Sequence, residues 1–106
     1  MDYRVLLVEP EAAMLDRLSQ VVKGTPNFTL AAKFQNISDA LGQGAVFNPN
    51  LILLDIEQAG GMKLVDEFKK IYPAAAILCM GSKWQAESAS ESVRAGAKGY
   101  ILKPFT

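Results

Sequence analysis

Five short apolar runs alternate along this chain with stretches of helical periodicity, and that alternation restricts the fold more than any other feature. The runs are Tyr3–Val8, Phe28–Phe34, Leu51–Leu54, Ala76–Met80 and Gly99–Leu102. Each is too short for a stable helix and is bounded by turn residues, as strands are. Leu51–Leu54 is continuously apolar and reads as a central strand covered on both faces, whereas Phe28, Leu30, Ala32 and Phe34 alternate with more polar neighbours, as on a half-buried edge strand.

Between the runs the period changes. From Pro10, in a first turn, the residues Met14, Leu15, Leu18, Val21 and Val22 recur at helical spacing. Lys23, Gly24 and Pro26 then supply a basic last turn, a left-handed cap and a breaker. Asn36 with Asp39 caps a second helix running to about Phe47, loosened by Gly42 and Gly44. Leu64, Val65, Phe68 and Ile71 form the stripe of a third helix, with Asp66 and Lys70 paired on its wet side. A fourth spans about Trp84 to Ala95, turning Ala86, Ala89, Ser90 and Val93 inward and ending at Gly96; its serines should make it the most mobile element. Strands alternating with helices imply a parallel sheet with right-handed crossovers, a doubly wound α/β fold, and 106 residues suffice for one such domain.

Composition removes whole classes of function. There is no histidine, which excludes the Ser-His-Asp triad, the Cys-His dyad and histidine metal sites. The single cysteine, Cys79, allows no intrachain disulfide and suits a reducing compartment; with Met80 it reads as a core residue. Eleven basic and eleven acidic residues cancel, so the field of a nucleic-acid or membrane-surface binder is missing. Met1-Asp2-Tyr3-Arg4 is no signal peptide and no apolar run reaches a membrane span, so the expected location is cytoplasmic. The turn after the first strand lacks the glycines of a phosphate cradle.

In doubly wound sheets the functional crevice lies beyond the carboxyl ends of the strands. There the sequence delivers Glu9 and Glu11, then Asp55 and Glu57, then Gly81-Ser82, then Lys103. Four carboxylates against one ammonium leave this edge at −3 in a neutral chain. Two carboxylates about 4 Å apart repel by roughly 4 kcal/mol at an effective dielectric near 20, which favours proton uptake or a bound cation. With only oxygen donors on offer, that cation is Mg²⁺ rather than a soft metal. An aspartate held between a cation and a lysine can also attack a phosphoryl group, whose oxygens are then neutralised from both sides.

The runs V-E-P-E after the first strand, L-I-L-L-D-I across the third, and A-G-A-K-G-Y-I-L-K-P-F at the end resemble a response-regulator receiver domain of two-component signalling, over essentially the whole chain. The resemblance implies a flavodoxin-like sandwich with strand order 2-1-3-4-5, and a signalling domain rather than an enzyme. It makes Asp55 the acceptor of a phosphoryl group from a histidine kinase, Lys103 the residue pairing with that group, and Tyr100 a switch aromatic. It implies Mg²⁺ held by Glu9 through water, by Asp55 and by the backbone carbonyl of Glu57. The partners it implies are a sensor histidine kinase or phosphotransfer protein, and an output domain, other partner or second copy at the face of the fourth helix and fifth strand. It implies no direct contact with nucleic acid or membrane.

Several positions depart from the family pattern. Pro10 stands where a second acidic ligand is expected, which implies weak Mg²⁺ binding; Glu11, one residue later, is better read as an acid in a helix's first turn. Gly81 stands where the family has Thr or Ser, leaving Ser82 as a displaced switch hydroxyl or a helix cap. Gln58-Ala59 replaces the usual Met-Pro step. The family's fifth helix would follow Lys103-Pro104-Phe105, and without it one sheet face is half bare, which reads as a fragment of a longer response regulator. The competing reading is a phosphorylation-independent pseudo-receiver, an interaction module in which Pro10 and Gly81 mark a dismantled site. An aspartyl-phosphate phosphatase matches D-I-E at 55–57 only superficially. Taken singly, Asp55 could be a loop starter, Lys103 a solvated surface lysine, Tyr100 an ordinary strand aromatic, and Trp84 a partly exposed reporter.

Overall fold

Leu51–Asp55 is buried at every position and forms the middle of the sheet, as its unbroken apolar run requires. The computed structural model describes residues 2–104. In chain order the elements are β1 (Tyr3–Val8), α1 (Ala12–Lys23), β2 (Phe28–Phe34), α2 (Ile37–Gln43), β3 (Leu51–Asp55), α3 (Lys63–Ile71), β4 (Ala76–Gly81), α4 (Ala86–Ala95) and β5 (Gly99–Leu102). All four strand pairings are parallel and the order is β2-β1-β3-β4-β5. The doubly wound fold and its strand order therefore stand as the sequence implied.

The pleat of each strand sends alternate residues to two cores. Leu6 and Val8 of β1, Ile52 and Leu54 of β3, and Ile77 and Cys79 of β4 face Leu64, Val65 and Phe68 of α3. Val5, Leu7, Leu51, Leu53 and Met80 face Leu15, Leu18 and Val22 of α1. On that second face Ala76, Leu78 and Ile101 are only partly buried. Asn36 accepts a bond from the Asp39 N–H and caps α2, and Asp66 pairs with Lys70 at 3.1 Å.

Local boundaries differ in instructive ways. α1 begins at Ala12, with Pro10 outside it and Glu11 as an extended N-cap, so Glu11 is not in a first turn. Gly24 keeps a right-handed φ of −86°, and the left-handed residue is Asn27, φ 68°. α2 stops at Gln43 and tightens into a 3₁₀ turn over Gly44–Phe47. Ile71 is exposed, and Tyr72 is buried in its place, its phenol donating to the Ala40 carbonyl. α4 starts at Ala86 rather than Trp84 and presents another face: Ser92 is buried and Ala89 half-buried, while Ala86, Ser90 and Val93 are exposed. On a helix built of Ala and Ser the contrast between faces is too small for periodicity to choose. Burial of Ser92 is tolerated because its hydroxyl donates to the Ser88 carbonyl.

Candidate functional site

The carboxyl ends of β1, β3 and β5 bring Glu9, Asp55 and Lys103 together. Lys103 Nζ lies 2.6 Å from Glu9 Oε1 and 3.0 Å from Asp55 Oδ1, and all three side chains are buried. Lys103 is aimed there by its backbone, whose N–H donates to the Gly81 carbonyl at 2.9 Å and so continues the β4–β5 ladder. Glu9 is fixed from the other side, because its Oε2 accepts the Glu11 N–H at 3.0 Å. The ammonium serves both acids, and the triad carries a net charge of −1.

Electrostatics follow this unequal sharing. Burial pushes the Asp55 carboxyl above its ordinary value; Lys103 pulls it down only in part, since the ammonium sits closer to Glu9, whose charge adds to the rise. For Lys103 burial is the largest single influence and lowers the ammonium's pKa, yet hydrogen bonds and charge from Glu9 and Asp55 together hold it above the ordinary value. The two Asp55 oxygens are not equivalent. Oδ1 takes Lys103 and the Glu57 N–H at 3.3 Å, whereas Oδ2 has no hydrogen-bond partner among the described residues.

The remaining edge residues make other pairings. The Glu57 carboxylate is drawn away to Ser82, accepting its N–H at 2.9 Å and its hydroxyl at 3.1 Å. Ser82 is thereby held by an acid, and among the described residues it makes no hydrogen bond to the triad. Glu11 is exposed and contributes its N–H, not its carboxylate. Tyr100 is half-buried on β5, its phenol donating to the Lys83 carbonyl at 2.7 Å and its ring meeting Trp84 edge-on at 5.8 Å. Trp84 is 61% exposed. The clamp between Glu57 and Ser82, and the amide bond from Gln58 to the Asp55 carbonyl, had no signal in the sequence, because neither follows from periodicity or motif.

Among the described residues no cluster of three or more acids or cysteines is placed to enclose a metal. Two carboxylates, one with an oxygen unpaired among the described residues, nonetheless suit a hard cation that keeps most of its waters, as Mg²⁺ does. Pro10 adds no side-chain donor to that pair.

Fold and edge together define a class: a doubly wound parallel sheet with a buried acid–lysine–acid triad at the switch point between β1 and β3. The family model of the response regulator receiver domain matches residues 5–106, and the chain belongs to that family. Chemotaxis protein CheY of Halobacterium salinarum is 31% identical over 104 residues, spanning 96% of this chain and 85% of that protein. CheY of Thermotoga maritima is 29% identical over 107 residues, with 99% and 88% covered. The isolated REC domain of RcsB from Salmonella enterica superposes with a TM-score of 0.87 at 13% identity, covering 100% of this chain and 80% of that one. The response regulator domain of Thermotoga maritima CheB gives 0.82 at 23% identity, covering 98% and 80%. At such identities the structural likeness shows the fold. Receiver domains are signalling domains of two-component systems, for which phosphorylation and Mg²⁺ binding are typical. No helix among the described residues is long and apolar enough to cross a membrane.

Proposed function

We propose that this domain accepts a phosphoryl group on Asp55 from the phosphohistidine of a sensor kinase or phosphotransfer protein. The observation that carries the reading is the shared ammonium: Lys103 bridges Glu9 and Asp55 while Asp55 Oδ2 has no hydrogen-bond partner among the described residues. In the transfer Oδ2 forms the new O–P bond as the donor's P–N bond breaks, and the bonding pair leaves with the imidazole. Lys103, already within reach of Asp55 Oδ1, neutralises phosphoryl oxygens as they arrive. Glu9, Asp55 and the Glu57 backbone carbonyl would hold Mg²⁺, which supplies the remaining positive charge. With Pro10 in place of another carboxylate, binding of that ion is weak.

The readout passes to an output domain, another partner or a second copy of the chain through the face of α4 and β5, and the setting is cytoplasmic. The rival reading, a phosphorylation-independent interaction module, draws on Pro10 and on the Glu57 carboxylate being tied to Ser82. Beryllofluoride with Mg²⁺ separates the two. Saturable quenching or enhancement of Trp84 fluorescence, lost in Asp55→Asn, is expected of a phosphoacceptor. A flat titration at high Mg²⁺ supports the interaction module instead.

A further inference from the structure

An acyl phosphate on Asp55 brings anionic oxygens to an edge where most hydrogen-bond donors are already engaged. The Glu57 N–H is spent on Asp55 Oδ1, and both donors of Ser82 are spent on the Glu57 carboxylate. Gly81, beside this pocket, has no side chain: it ends β4 one residue beyond Met80, which is paired with Asp55. That space is not empty. A β-carbon built on Gly81 would overlap the Tyr100 phenol oxygen outright and come within 2.8 Å of the ring carbon that bears it. The phenol tip thus fills the volume of a residue-81 side chain, reached from the neighbouring strand. Its charge environment agrees: burial, then the negative charges of Glu57 and Asp55, push the phenol above its ordinary pKa, so it stays protonated and a donor.

We propose that Tyr100 supplies across the β4–β5 pair the hydroxyl that position 81 lacks, donating to the anion carried by Asp55. The inference rests on Asp55 being the phosphoacceptor. In the resting domain the same O–H is parked on the Lys83 carbonyl at 2.7 Å, so engaging the anion means exchanging one acceptor for another at the head of α4. Gly81 is required for this arrangement, since any larger residue expels the ring.

The test is the affinity of beryllofluoride with Mg²⁺, followed by fluorine NMR of the bound anion so that the Trp84–Tyr100 contact does not enter the signal. Tyr100→Phe keeps the ring and removes only the donor; its affinity is expected to fall about tenfold, the equivalent of ~1.4 kcal/mol. Gly81→Ser combined with Tyr100→Ala clears the ring that a residue-81 side chain would meet and places a hydroxyl on β4 itself; it is expected to bind several-fold more tightly than Tyr100→Ala alone, which a merely structural role for the phenol would not produce. Unchanged affinity in Tyr100→Phe overturns the proposal while leaving Asp55 as acceptor. A double variant that binds no more tightly than Tyr100→Ala alone also overturns it. Absence of binding to the wild-type domain overturns both this inference and the phosphoacceptor reading.

Discussion

Replacing Lys103 by methionine removes the one cation from between two buried carboxylates while keeping an apolar stem of similar length. At 2.6 and 3.0 Å, and an effective dielectric near 20, each ion pair is worth about 6 kcal/mol before desolvation is counted. Most of that is offset by the cost of burying the ions, but breaking a buried pair leaves the surviving charges uncompensated, and such losses run to about 3–5 kcal/mol. For a domain of this size we expect Lys103→Met to lower Tm by more than about 12 °C at pH 7. The loss should shrink toward pH 4, where Asp55, its carboxyl held above the ordinary value by burial, takes up a proton and no longer needs the ammonium. Urea denaturation at the two pH values reads both quantities. A loss below about 1 kcal/mol at pH 7, or one that does not change with pH, would refute the buried triad.

Further outcomes follow from the same geometry. The folded-state pKa of Asp55 is raised, so the native domain binds that proton more tightly than the unfolded chain and loses stability as pH rises through and beyond 3.8. Asp55→Asn should therefore be more stable than wild type at neutral pH, with the gap closing as pH falls toward 3.8 in urea titrations. The raised pKa of Lys103 acts at the other end: its stabilisation is complete below 10.5 and disappears as pH climbs through its higher folded value, a decline that Lys103→Met should lack. Ser82→Ala frees the Glu57 carboxylate from the hydroxyl and should change Mg²⁺ affinity, read by calorimetry, while changing stability by no more than about 1 kcal/mol in urea denaturation. Phe68→Ala, at a fully buried ring stacked 6.0 Å from Tyr72, should cost about 3–5 kcal/mol.

What the sequence makes legible here is whatever local pattern encodes. Leu51–Leu54 cannot be satisfied except between two covered faces, and the residues ending β1, β3 and β5 must then share one edge, so Glu9, Asp55 and Lys103 could be brought together on paper. Side-chain pairing across that edge is another matter. Glu57 and Ser82 lie 25 residues apart, and nothing in either segment says that one will capture the other. The orientation of α4 is illegible for a different reason: Ala86, Ala89, Ser90 and Val93 match the helical period as well as the face containing Ser92, which the structure buries with its hydroxyl 3.6 Å from Met62 Sδ. Tyr100 was identifiable by motif as an aromatic at the edge; its hold on the space above Gly81 required coordinates.

Incubating the domain with acetyl phosphate and Mg²⁺, then mapping the modified peptide by mass spectrometry, addresses the central proposal most directly. A phosphoryl adduct on Asp55, hydrolysed over time and missing from Asp55→Asn, is the expected result. An unmodified chain at high Mg²⁺, or an adduct on another residue, contradicts it.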